Sequence, residues 1–268
     1  MNIFLNVLIF ILGTMFGSFL SLAIYRIPLK KNITHERSFC TKCNHRLEFL
    51  DLIPILSYIF LKGKCRYCGE KVRIRYLLLE LFSGLVFLLG FISLKVRFEF
   101  LEINKIAEFI SFVFMYITII MIAGIDKENR TINKPVIIFG LIMQYIYILY
   151  LYIVGNTNVY RYGIYLIFVL VFFLIDRIIK KIHGKSLYAV QILILCMYIN
   201  ICVGSSMFLG IAIATVLISI LYTVISHIKH NINDSSNILA EKKIKELPIG
   251  FTLGILAIAL VIIENLLK

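Results

Sequence analysis

The chain has 268 residues, 60% of them hydrophobic and only 16% charged, with a formal net charge of +13 and a mean hydropathy of +0.93. That composition excludes a soluble domain built around a large core and indicates a polytopic membrane protein. Nucleic acid is not an expected partner, because the basic residues sit between apolar runs, which is how topology is encoded in a bilayer protein.

Residues 1–25 carry no charged side chain and are long enough to span a hydrocarbon core. No Lys or Arg precedes the apolar stretch, which argues against a cleaved signal peptide. The first cation, Arg26, follows the segment, so the N-terminus is expected outside. Gly13, Gly17 and Ser21 form a stripe of small residues suited to close helix packing.

From Phe39 to Glu70 the chain reads FCTKCNHRLEFLDLIPILSYIFLKGKCRYCGE. Two Cys-x-x-Cys pairs, Cys40/Cys43 and Cys65/Cys68, are separated by 21 residues, and Gly69 suits a tight turn after the second pair. Two such pairs can make a tetrahedral four-cysteine site for a structural zinc ion. The alternative is two disulfides, and the compartment decides between them.

Further spans are expected near 76–94, 107–125, 135–154, 162–176, 186–203, 207–226 and 247–265, about eight in all with the first. With both termini outside, 23 of the 28 Lys and Arg residues fall in the inside segments 26–75, 127–134, 177–185 and 227–246. Five fall outside. This asymmetry places the cysteine pairs in a reducing cytoplasm and favours zinc over disulfides. The expected organisation is a first transmembrane helix (1–26), a cytoplasmic zinc-binding segment (27–75) and a transmembrane helical bundle (76–268). Cys196 and Cys202 lie within an apolar run without ligand spacing and read as core residues. His45 and His183 are isolated and are not assigned to metal.

Ionisable groups at a bilayer edge are functional suspects, because burying them is costly. Glu80 lies one turn into the second span, and Glu108 begins the third, where snorkelling accounts for it. Asp126 ends the third span and Asp176 the fifth, both on the expected cytoplasmic side. Two carboxylates brought together there share one proton and activate a water between them, which is aspartic-protease chemistry. Each has a plainer reading: Asp126 as a helix-end cap beside Lys127, Asp176 as a partner of Arg177, Lys180 and Lys181.

Several stretches together resemble one family. GSFLSLAIYRIP, the Phe39–Glu70 segment with its continuation KVRIRYLLLELFSG, GIDKENRTIN and the closing LPIGFTLG are similar to motifs of bacterial type IV prepilin leader peptidases that also N-methylate the mature pilin. The resemblance implies a multi-pass inner- or plasma-membrane aspartic endopeptidase. It would remove a basic leader from prepilins or pseudopilins at the cytoplasmic face, then methylate the new N-terminus from S-adenosylmethionine. Asp126 matches the first catalytic aspartate. Three positions depart from the family: Ser21 stands where Asn is common, Asn133 follows Ile132 where Pro is expected, and the second catalytic motif lacks its aspartate. That region reads KKIHGKSLYAVQILI, with Gly184 matching a motif glycine and no Asp or Glu between Arg177 and Asn233. Asp176 is the candidate substitute. The alternatives are a peptidase-deficient homologue that keeps methyl transfer, or a non-enzymatic partner in pilus assembly. A transporter is the outsider, since the spans offer few inward polar groups.

Overall fold

The computed structural model describes residues 3–33, 37–96, 102–129, 132–155, 160–183, 194–195, 198–199, 201 and 249–267. Its elements are α1 (Ile3–Arg26), a 3-10 turn (Phe49–Asp51), α2 (Leu56–Phe60), α3 (Arg75–Ser93), α4 (Ile103–Asn129), α5 (Lys134–Ile153), α6 (Tyr160–His183) and α7 (Ile249–Leu267). Helices α1, α3, α4 and α5 are long and apolar enough to cross a membrane. The expected spans near 186–203 and 207–226 lie largely or wholly outside the described residues, as do Gly184, Cys196, Cys202 and the polar segment 229–246.

The chain clusters into two compact units, one formed by Met1–Ile117 with Ile262–Lys268, the other by Thr118–Val261. In the first, α1 and α3 approach closely through small residues. A Cβ on Gly13 would lie 2.7 Å from the Ser83 carbonyl oxygen and 2.9 Å from the Gly84 Cα. One on Gly17 would lie 2.8 Å from the Glu80 Cα. The stripe read in the sequence therefore packs as expected, with backbone against backbone. Phe87 and Phe91 of α3 fill the space beside it, and Phe87 meets Tyr116 of α4 edge-on, with centroids 5.7 Å apart. The Ser83 and Tyr116 hydroxyls share a 2.6 Å hydrogen bond between α3 and α4.

In the second unit, α5 begins after Asn133, with Pro135 in the first turn, where its missing N–H is harmless. Gly140 of α5 lies against Thr118 of α4, and Gly254 of α7 lies against Ile119 and Ala123. Helix α6 runs seven residues beyond the span expected to end at Asp176. The hydropathy signal stops at Arg177, but the backbone does not, because Arg177, Lys180 and Lys181 point outward while Asp176 points inward.

Replacing Gly17 by Val forces α1 away from α3. Overpacking of this kind costs about 1–3 kcal/mol, so the thermal midpoint of the purified protein should fall relative to wild type. The same change at Gly163, which has open space around it, should have much less effect.

Candidate functional site

The two cysteine pairs fold as two similar knuckles. In the first, the Cys40 N–H donates to the His45 carbonyl at 2.9 Å and the Asn44 N–H to the Cys40 carbonyl at 2.8 Å. In the second, the Cys65 N–H donates to Glu70 at 2.8 Å and the Gly69 N–H to Cys65 at 3.0 Å. Isolated antiparallel bridges, Phe39 to Arg46 and Lys64 to Lys71, close each loop. The turn after each second cysteine needs a positive φ: Gly69 has φ +70° and Asn44 has φ +56°. Glycine adopts this region freely, and asparagine is among the few other residues that tolerate it. Gly69 was legible in the sequence. Asn44 was the overlooked counterpart.

The four sulfurs lie within 4.8 Å of one another, and Cys40 Sγ is 3.8 Å from Cys68 Sγ. Tetrahedral thiolates at a zinc–sulfur distance of about 2.3 Å would be roughly 3.8 Å apart, whereas a disulfide requires about 2.0 Å. All four cysteines are unbridged. The donor set therefore fits a metal ion. The backbone N–H groups of Cys43 and Lys42 lower the Cys40 thiol to about 7, so it ionises readily. At Cys68 the Glu70 backbone pulls the other way, but loss of water and the neighbouring thiols Cys43, Cys65 and Cys40 prevail and push it up to about 12. Such a cluster gives up its first proton easily and its last only to a cation.

Asp51 braces the second knuckle from the spacer. Its carboxylate accepts the Tyr67 hydroxyl at 3.1 Å and the Glu48 N–H at 3.1 Å, and pairs with Arg66 Nε at 2.8 Å. The Tyr67 ring lies against His45 of the first knuckle, with centroids 3.6 Å apart. His45 thus ties the two knuckles together. Below them, Arg26 at the end of α1 is buried and donates to the Asn32 carbonyl at 3.1 Å and the Arg37 carbonyl at 3.2 Å. It holds the entry to the lobe.

In the other unit, Asp126 is fully buried in the last turn of α4. Gly250, at the start of α7, packs on it so tightly that a Cβ there would sit 3.0 Å from the Asp126 Oδ2. Gly250 and Gly254 form a second small-residue stripe, which the sequence reading did not single out although its spacing equals that of Gly13 and Gly17. Asp176 is also fully buried, and Lys134 Nζ at the start of α5 forms an ion pair with its Oδ2. The cation brought to it is therefore one 42 residues earlier, while its sequence neighbours Arg177, Lys180 and Lys181 are exposed. Lys134 also lines an open groove of about 560 Å³ with Leu170, Phe173, Leu174, Arg177 and Lys180.

The structure is helical, with four helices long and apolar enough to cross a membrane and, between the first two of them, a four-cysteine cluster that could hold a metal ion. Residues 11–94 match the family model of the bacterial peptidase A24 N-terminal domain. A prepilin leader peptidase/N-methyltransferase of Myxococcus xanthus is 44% identical over 81 residues, covering 30% of this chain and 24% of that protein. The namesakes in Klebsiella pneumoniae and Bacillus subtilis are 39% identical over 88 residues and 35% over 134 residues. These alignments cover 31% of this chain and 39% of the Klebsiella protein, and 50% of each in the Bacillus case. The likeness to prepilin leader peptidases/N-methyltransferases is thus carried by the N-terminal portion of the chain. It spans about a quarter to a half of the length of these curated relatives. No solved structure matches it.

Replacing Cys40 or Cys65 by Ser removes one of four thiolates, and bound metal, measured by elemental analysis of the purified protein, should fall well below one equivalent. Full retention in both variants would rule out the four-thiolate site.

Proposed function

We propose that the protein is a membrane aspartic endopeptidase and N-methyltransferase acting on type IV prepilins or pseudopilins. The observation that carries this reading is the family match over residues 11–94, which spans both cysteine pairs, joined to a buried Asp126 in the motif GIDKENRTIN. In this reading the chain makes about eight passes through the inner or plasma membrane with its N-terminus outside. Residues 1–26 are the first span, 27–75 the cytoplasmic zinc-binding segment and 76–268 the peptidase-like bundle. The positive-inside asymmetry supports that orientation.

Cys40, Cys43, Cys65 and Cys68 hold zinc, which stabilises a lobe too small to build its own core. S-adenosylmethionine supplies the methyl group. Asp126 takes a proton from the attacking water, and Asp176 serves as the second acid in place of the family's missing aspartate. Gly250 leaves room for the Asp126 carboxylate and fixes its position. The Lys134–Asp176 ion pair favours the second reading, because a carboxylate committed to an ammonium group shares a proton poorly. In that reading the chain keeps methyl transfer without proteolysis, or serves pilus assembly without turnover.

Mass spectrometry of a co-expressed prepilin separates the readings, since leader removal and N-methylation change the mass independently. Cleavage should be lost in Asp126→Asn and in Asp176→Asn, while methylation of an already processed pilin persists. No cleavage by the wild-type protein at any pH would establish the peptidase-deficient reading. Gly250→Val should reduce cleavage by about 100-fold, the cost of misplacing a reacting group by roughly 1 Å, with bound metal unchanged.

A further inference from the structure

We infer that the spacer between the two cysteine knuckles dips into the bilayer surface, so that the metal lobe is a lipid-immersed module rather than a water-exposed loop. The spacer carries Phe49, Leu50, Leu52, Leu56, Ile59 and Phe60 on its surface, with Phe49 82% and Phe60 79% exposed. Contiguous apolar surface of this kind needs a covering partner.

Two features identify that partner as the membrane. The first is depth. Ile55, in the middle of the spacer, donates its N–H to Glu80 Oε2 at 2.8 Å. Glu80 lies five residues into α3, about 7–8 Å along its axis from Arg75. The spacer backbone is thereby held beside the first turns of a span. Gly17 of α1 packs on the same residue, a Cβ there lying 2.8 Å from the Glu80 Cα, so both flanking helices meet at this anchor. The second is charge. Lys62, Lys64, Lys71 and Arg73 follow the apolar residues in the chain and are exposed, which suits anionic head groups beside an inserted apolar face.

The backbone at Ile55 is consistent with this placement. Its φ of +62° and ψ of −54° are strained for a β-branched residue. The Leu56 N–H closes a tight turn to the Pro54 carbonyl at 2.6 Å. Irregular backbone near hydrocarbon requires an internal acceptor for its N–H groups, and Glu80 supplies one. That accounts for a buried carboxylate near the start of an otherwise apolar helix.

Because the chain contains no tryptophan, Phe49→Trp and Phe60→Trp are single-probe variants of the full-length, metal-loaded protein. In nanodiscs containing phosphatidylglycerol, both probes should emit at blue-shifted wavelengths, lose intensity several-fold with brominated acyl chains, and resist aqueous iodide. Iodide quenching without bromolipid quenching would overturn the inference. So would a blue shift that arises only when an apolar, pilin-like helical peptide is added, because the surface would then be a protein dock. Neither outcome depends on whether the protein cleaves prepilins.

Discussion

The carboxylate of Glu80 is the point from which the N-terminal half of the molecule is organised. It is 9% exposed, it lies on the close α1–α3 contact, and it receives the Ile55 N–H from the spacer. A buried charge of this kind persists only with hydrogen-bond partners. Gly17 makes the arrangement possible by letting α1 approach the Glu80 backbone without a side chain in the way. A loss of close packing between the two helices would therefore also withdraw the support of the lobe.

The lobe itself has little apolar interior. Its spacer residues face outward, and its order comes from paired backbone loops, the Asp51 contacts to Tyr67 and Arg66, and the His45–Tyr67 stack. Four sulfurs within 4.8 Å remain at the centre. Their convergence, with no disulfide between them, suits a cation. A bound metal would fix the knuckles, and the proposed lipid contact would cover the apolar spacer that cannot turn inward.

The buried aspartates stand in different surroundings. Asp126 is hemmed in by the backbone of Gly250, while Asp176 faces a lysine. An aspartic dyad divides one proton between two carboxylates, and the lysine beside Asp176 opposes such sharing. The ion pair joins α5 to α6 across 42 residues of sequence.

Much of this was legible in the sequence. Uncharged runs gave α1, α3, α4 and α5, the Gly13/Gly17 spacing gave their contact face, and the cysteine spacing with Gly69 gave two turns able to present thiols, because each of these signals is local and periodic. The end of α6, the role of Asn44, the Gly250–Asp126 contact and the partner of Asp176 were not. Hydropathy cannot see a helix continue into charged residues, and nothing local links Lys134 to Asp176 or Ile55 to Glu80. The sequence by itself pointed to a multi-pass helical protein with two thiol knuckles and a family likeness densest in its first third. The tertiary structure alone decided that the four thiols converge and which carboxylate meets which partner, since such contacts join residues far apart in the chain and arise only when helices pack.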